Sequence, residues 1–164
     1  MRKTLFVING PNLGLLGTRE PEIYGYSTLK DIDESCRKVG AKHGLEVVCF
    51  QSNHEGAIID HIHDAIFKAQ GIVINAAAYT HTSVAIHDAL RAFDGFKIEL
   101  HISNPHLRES FRHVSYVAPV VDGVVAGLGI FGYELAVDIM AAALSSGGTL
   151  GQVSYEPRSP AKSA

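Results

Sequence analysis

The sequence has few cysteines and a net charge close to zero, and each of these features excludes a class of protein. Cys36 and Cys49 are its two cysteines, so we expect buried thiols in a cytoplasmic protein, not a disulfide or a metal site. The net charge is −3, which gives no general basic field for nucleic acid or for an anionic membrane surface. An anionic ligand would therefore have to meet a local cluster of arginines.

Long apolar runs are missing as well. None approaches the roughly 20 residues of a transmembrane helix, and the apolar stretch after Arg2 and Lys3 is too short for a signal peptide. With 46% hydrophobic and 19% charged residues over 164 positions, the composition is that of one globular domain with a sizeable core. We therefore expect no membrane partner.

Apolar runs alternate with amphipathic stretches along the chain. The runs predict strands at residues 4–8, 45–51, 71–76 and 96–103, with a weaker fifth at 116–120. The stretches predict helices over 28–43, 56–69, 83–93 and 129–144. Because continuous apolar runs suit strands buried on both faces, we predict an α/β fold, a flavodoxin-like doubly wound five-stranded parallel sheet with helices on both faces. This single domain takes residues 1–146, and the Gly-, Ser- and Pro-rich tail 147–164 is expected to be partly disordered.

A long polar segment, residues 9–25, follows the first predicted strand. Connections between a strand and a helix are usually about 2–6 residues, and much longer ones tend to be lids or binding loops. This segment carries an arginine, Arg19, a phenol, Tyr24, and two asparagines. These groups are able to bind and deprotonate a small polar molecule.

Polar side chains also follow the third and fourth predicted strands. In a doubly wound sheet, ligands bind at the carboxyl ends of the strands. Arginines at that edge suit a carboxylate, because the guanidinium fork binds it through two hydrogen bonds. With those that follow the first predicted strand, the residues at this edge are Asn9, Asn12, Arg19, Tyr24, Asn75, His81, Glu99, His101, Ser103, Arg108 and Arg112.

His101 is a candidate acid because of its neighbour on the same strand. A lone histidine is more often structural, but Glu99, two residues earlier, projects from the same face. A carboxylate beside a histidine fixes its tautomer and favours its protonated form. We therefore predict an acid–base role for His101.

Tyr24 is a candidate base, although a free phenol has a pKa of about 10. Lowering that value by about two units needs roughly 2.7 kcal/mol of preferential stabilisation of the phenolate. Arg19 in a partly desolvated loop could supply it. A tyrosine that only packs within the loop fits the spacing equally well.

Five motifs together resemble the type II 3-dehydroquinate dehydratases, over about residues 3–144. They are NGPNLGLLGTREPEIYG from Asn9, FQSNHEG from Phe50, AYTHTSVAI from Ala78, IELHISN from Ile98 and RESFRH from Arg108. The resemblance implies that 3-dehydroquinate, the substrate, loses water to give 3-dehydroshikimate. It also implies an anti elimination through an enolate, with no metal or organic cofactor, in the shikimate pathway or in quinate catabolism.

The resemblance further implies roles for individual residues. Tyr24 would be the base and Arg19 would hold its phenolate form, while Asn12 would position a water that stabilises the enolate oxygen. His101, oriented by Glu99, would protonate the departing hydroxyl. Substrate would be bound by Asn75, His81, Ile102, Ser103, Arg112 and, less directly, Arg108. Asp88 would come from a neighbouring subunit, because the family forms trimers assembled into dodecamers.

The sequence departs from the family pattern at a few positions. Ala76 and Ala77 stand where Pro-Gly is usual, so a positive φ at Ala77 would cost energy that glycine avoids. His87 stands where arginine is common, Val114 where histidine is common and Gly14 where asparagine is frequent.

A binding module is the alternative hypothesis. A flavodoxin-like domain could bind a phosphate-bearing ligand at helix N-termini. The absence of a Gly-, Ser- and Thr-rich phosphate loop and of tryptophan counts mildly against it. A signalling receiver would need clustered acids after the first strand, where this chain has asparagines.

Overall fold

The fold is a parallel sheet of five strands with helices on both faces. The computed structural model describes residues 2–18 and 26–147. Its strands are β1 (Thr4–Asn9), β2 (Glu46–Gln51), β3 (Gly71–Asn75), β4 (Phe96–His101) and β5 (Gly123–Ala126). They lie in the order β2-β1-β3-β4-β5, and every neighbouring pair is parallel. The flavodoxin-like doubly wound fold predicted from the sequence is therefore confirmed.

Four α-helices connect and cover the strands in the described part of the chain. They are α1 (Leu29–Lys42), α2 (Glu55–Lys68), α3 (Val84–Arg91) and α4 (Phe131–Ser145), each within two residues of its predicted bounds. Thr28 caps α1 through a reciprocal pair of bonds with Asp31. Ser83 caps α3 by accepting a hydrogen bond from the Ile86 amide at 2.9 Å. None of the helices in the described ranges is long and apolar enough to cross a membrane.

The sheet separates two apolar layers. Val7 and Leu100 face α1 and α4, whereas Ile8 and Ile74 face α2 and α3. Both central strands, β1 and β3, are buried along nearly their whole length. Since each fully buried aliphatic side chain contributes about 1.5–3 kcal/mol, the register of β1 and β3 is strongly fixed. That register places Asn9 directly opposite Asn75 at the carboxyl edge.

The predicted fifth strand at residues 116–120 is wrong. Residues Ala118–Val120 form a 3-10 turn, and β5 begins only at Gly123. Pro119 explains the difference, because proline has no N–H for a strand ladder and suits the first turn of a helix. Alternate residues of β5 are exposed, so this edge strand lacks the continuous apolar run of the central strands.

Candidate active site

A cavity of about 190 Å³ opens at the carboxyl edge of the sheet. Of the twelve residues predicted for the site, eight line it: Asn12, Asn75, His81, His101, Ile102, Ser103, Arg108 and Arg112. They come from the last residues of β3 and β4 and from the segments that follow β1, β3 and β4, which meet there because all the strands are parallel. Glu99 lies behind His101. Asp88 is exposed on α3 and does not line the cavity, and Arg19 and Tyr24 lie outside the described residues.

Glu99 and His101 form a close pair on β4. Nε2 of His101 lies 2.8 Å from Oε1 of Glu99, as expected for two residues that share one face of a strand. The His101 side chain is 11% exposed and lines the cavity, whereas that of Glu99 is 1% exposed. The carboxylate therefore supports the ring from behind and leaves Nδ1 for a ligand.

Two hydroxyl groups also donate to the Glu99 carboxylate, at the oxygen that His101 contacts. The Thr80 hydroxyl donates to Oε1 at 2.7 Å, and the Ser115 hydroxyl donates to the same oxygen at 2.8 Å. Burial by itself would raise the pKa of Glu99, but the bond and the charge of His101 oppose it, with help from these hydroxyls. The net result is a pKa below the ordinary value, so Glu99 is an anion that accepts hydrogen bonds from Nε2 of His101 and from the two hydroxyls.

His81 lies beside His101 in the same wall. Its Nδ1 is 2.7 Å from the carbonyl oxygen of Val114. Since a carbonyl only accepts hydrogen bonds, Nδ1 carries the proton, and Nε2 of the neutral ring is an acceptor. The two imidazoles are nearly parallel, with centroids 6.5 Å apart. His81 can therefore accept a hydrogen bond from a ligand hydroxyl next to the candidate acid.

Asn12 is held in place by residues at the end of β2 and just after it. Its φ of 67° is left-handed, a conformation that asparagine tolerates better than most residues. Its backbone amide donates to Oδ1 of Asn53 at 3.0 Å, and Nε2 of the Gln51 side chain donates to the Gly10 carbonyl at 3.2 Å. The motif from Phe50 thus supports the turn that brings Asn12 to the cavity.

Asn75 ends β3 at the base of the cavity and is almost fully buried. Its Nδ2 donates to the Tyr133 hydroxyl at 3.0 Å, and its Oδ1 accepts from the Ala77 amide at 3.2 Å. Ala77 has a φ of 51°, so the departure from the family's Pro-Gly falls on a strained position. The backbone is also tight here, because a Cβ on Gly10 would lie 2.5 Å from the Ala76 carbonyl oxygen.

The two arginines of the cavity share one carboxylate. Nε of Arg112 donates to Oε2 of Glu109 at 2.8 Å, and Nε of Arg108 lies 3.7 Å from the same oxygen. A hydrogen bond from the backbone of Glu109, and then that from Arg112, hold the pKa of Glu109 below its ordinary value. A guanidinium has five N–H donors, so Arg112 has more donors than its bond to Glu109 uses.

Both cysteines are free thiols, but the prediction that both are buried holds only for Cys36, because Cys49 is partly exposed. Cys36 and Cys49 are free, and Cys36 is fully buried in the layer under α1 and α4. Burial raises the pKa of Cys36 to about 12, which makes it a poor nucleophile at neutral pH. Within residues 2–18 and 26–147, no three His, Cys, Asp or Glu side chains are grouped so as to hold a metal ion.

Sequence patterns do not identify four residues that support the site: Thr80, Ser115, Asn53 and Tyr133. Thr80 and Asn53 lie within quoted motifs, so position in a motif was the available signal for them. Ser115 lies just before the misplaced fifth strand, and Tyr133 follows the glycines that open α4. Each acts through a neighbour, which single-sequence patterns do not reveal.

Comparison with known proteins agrees with this geometry. The family described as Dehydroquinase class II matches residues 3–141. A 3-dehydroquinate dehydratase of Cereibacter sphaeroides is 64% identical over 137 residues, which are 84% of this chain and 93% of that protein. A catabolic 3-dehydroquinase of Penicillium rubens is 54% identical over 138 residues, covering 84% and 89% of the two chains.

A solved structure gives the same result. The type II dehydroquinase from Propionibacterium acnes superposes with a TM-score of 0.83 at 45% sequence identity. The match covers 87% of this chain and 98% of that structure. Sequence, fold and cavity therefore agree, and the chain belongs to the class II dehydroquinase family.

Proposed function

We propose that this protein is a 3-dehydroquinate dehydratase, a lyase that removes water from 3-dehydroquinate to give 3-dehydroshikimate. The observation that carries the proposal is the Glu99–His101 pair, which faces a cavity that Arg108 and Arg112 also line. A proton donor beside a carboxylate-binding cluster matches a substrate with a carboxylate and a departing hydroxyl. Catalysis is assigned to the single domain of residues 1–146, without a cofactor.

The leaving hydroxyl is protonated from Nδ1 of His101. Nε2 is occupied by the Glu99 carboxylate, so Nδ1 is the ring atom free to meet a substrate in the cavity. Its proton joins the departing hydroxide, which leaves as water when the C–O bond breaks. The ring is left neutral with its Nε2 proton still directed at Glu99, which fixes the tautomer for the next cycle.

The proton beside the ketone is removed by the phenolate of Tyr24, which Arg19 stabilises. Anti elimination places this base opposite the His101 acid and passes through an enolate. Asn12 holds a water against the enolate oxygen. Leu16, three positions before Arg19, lines the cavity, which supports these roles for Arg19 and Tyr24.

Substrate is held by the remaining lining residues. Arg112, with Arg108 nearby, binds the carboxylate through the guanidinium fork. Asn75 donates to a hydroxyl, and Nε2 of His81 accepts from another. The backbone at Ile102 and Ser103 completes the binding surface.

The proposal also includes the oligomeric state and the cellular compartment of the protein. Asp88 is exposed on α3 and outside its own cavity, which suits a residue that serves the site of a neighbouring subunit. We expect a dodecamer built from trimers, to be checked by analytical ultracentrifugation. Two free thiols, Cys36 and Cys49, favour the cytoplasm, because thiols stay reduced there.

The reaction is tested by ultraviolet absorbance, which rises as the conjugated enone forms from 3-dehydroquinate. We expect a rise that a chelator does not change. We also expect its loss in Tyr24→Phe and in His101→Ala, with Tyr26→Phe as a control on an exposed ring. Absence of a rise in the wild type would overturn the function, and loss with chelator would overturn the cofactor-free reaction. Visible absorbance from a bound flavin, without dehydration, would favour the binding module.

A further inference from the structure

Tyr133 lies between two asparagine side chains beneath the cavity. It comes from the first turn of α4, is 1% exposed and does not line the cavity. Its hydroxyl donates to Oδ1 of Asn9 at 2.6 Å and accepts from Nδ2 of Asn75 at 3.0 Å. The two asparagines face each other across β1 and β3, so one phenol joins the carboxyl ends of both central strands.

The directions of these bonds follow from counting protons. A phenol has one proton, and Tyr133 uses it on Asn9. Asn75 must therefore supply the proton of the second bond, from Nδ2. Since Oδ1 of Asn75 accepts from the Ala77 amide, both ends of this side-chain amide are occupied. One Nδ2 proton remains, and Asn75 lines the cavity.

We propose that Tyr133 is a positioning residue, which fixes the Asn75 amide so that its remaining Nδ2 proton meets a substrate hydroxyl. The inference rests on the proposed function, in which Asn75 binds substrate. Burial raises the pKa of Tyr133, so the hydroxyl keeps its proton at any pH at which the enzyme works. Tyr133 thus supplies a fixed donor to Asn9 and a fixed acceptor for Asn75.

A merely structural role makes a different prediction. A buried tyrosine that only packs would change stability on mutation and leave substrate affinity alone. A positioning residue must act through Asn75, so its effect on affinity must disappear once Asn75 has lost its amide. A double-mutant cycle separates the two roles, because coupled residues show non-additive effects.

The test uses Tyr133→Phe, Asn75→Ala and the double variant in the dehydration assay. Tyr133→Phe keeps the ring and removes one donor and one acceptor. We expect its KM to rise about tenfold with kcat within about twofold, which is the pattern of lost binding in ground and transition states alike. In the Asn75→Ala background, adding Tyr133→Phe should change KM by less than about twofold. Tyr116→Phe, on a partly exposed ring, is the control.

A second variant covers the case in which Tyr133→Phe does not fold. Asn9→Leu has a similar volume and removes the acceptor of the Tyr133 proton, which frees the hydroxyl to turn away from Asn75. We expect a smaller rise in KM that also disappears in the Asn75→Ala background. A KM unchanged in the variants, or effects that multiply in the double variants, would overturn this inference alone. A wild type that does not dehydrate the substrate would overturn the proposed function and this inference with it.

Discussion

The carboxylate of Glu99 lies 2.8 Å from Nε2 of His101 and is itself fully buried. A buried carboxylate is costly unless its oxygens are paired. Here the hydroxyls of Thr80 and Ser115, together with the imidazole, donate hydrogen bonds to the carboxylate. The pair therefore requires donors from outside the strand that carries it.

Glu99→Gln should lower kcat by at least about tenfold, because general acid catalysis contributes about 10²–10⁴-fold and needs an oriented, protonated ring. Glutamine keeps the shape but has no charge to stabilise the imidazolium. KM should change little, since Glu99 does not line the cavity. Steady-state kinetics of the dehydration would measure both, with Glu46→Gln on an exposed side chain as control. A kcat within twofold of wild type would contradict the role given to Glu99.

The stability that ionised Glu99 contributes should depend on pH. Its pKa in the folded protein is below the ordinary value of 4.5, so this contribution is fully present above about pH 4.5 and is lost as the pH falls through the folded value. The free energy of unfolding of the wild type should therefore approach that of Glu99→Gln as the solution is acidified. Denaturant titrations between pH 7 and 3 would measure the difference. A difference that widens on acidification would show the opposite sign of shift.

Thr80→Val should destabilise the protein by about 1.5–3 kcal/mol, the range for a hydrogen bond to a charged group. Valine has nearly the shape of threonine, and the lost donor is fully buried against Glu99. Thr82→Val is the matched control, because Thr82 is exposed in the same segment. Chemical denaturation of both variants gives the comparison. Equal effects of the two substitutions would mean that the Thr80–Glu99 bond contributes nothing.

The central strands could be predicted because a strand that is buried on both faces is a continuous apolar run in the sequence. β1 and β3 are apolar at nearly every position and buried at nearly every position. β5 could not be located, because half of its side chains face solvent and Pro119 interrupts the apolar run before it. The Glu99–His101 pair could be predicted because strand residues two apart share a face.

The supporting contacts could not be predicted, because they join segments far apart in the sequence. Tyr133 is 58 positions from Asn75 and 124 from Asn9. Ser115 is 16 positions from Glu99 and belongs to a segment whose path was mispredicted. Apolar periodicity identifies the face of α4 that packs on the sheet, but it does not say which atoms a hydroxyl on that face will meet.

Arg112→Lys should raise KM for 3-dehydroquinate by about tenfold or more, because lysine keeps the charge and loses the planar fork that binds a carboxylate bidentately. It also loses the Nε that Glu109 orients at 2.8 Å. Arg91→Lys, on an exposed position at the end of α3, is the control. An unchanged KM in Arg112→Lys would mean that this arginine does not bind the substrate carboxylate.

Ala77→Gly should stabilise the protein by about 0.5–1 kcal/mol. Left-handed backbone costs an L-residue roughly 1–2 kcal/mol, and glycine avoids that cost while losing more freedom on folding. The φ of 51° at Ala77 places it in that region. Ala78 is the matched control, since its φ is not positive. Ala78→Gly should destabilise the protein, because glycine loses more conformational freedom on folding than alanine does. The free energy of unfolding, measured by thermal and chemical denaturation, should therefore rise in Ala77→Gly and fall in Ala78→Gly. A loss of stability in Ala77→Gly would show that this turn is not strained.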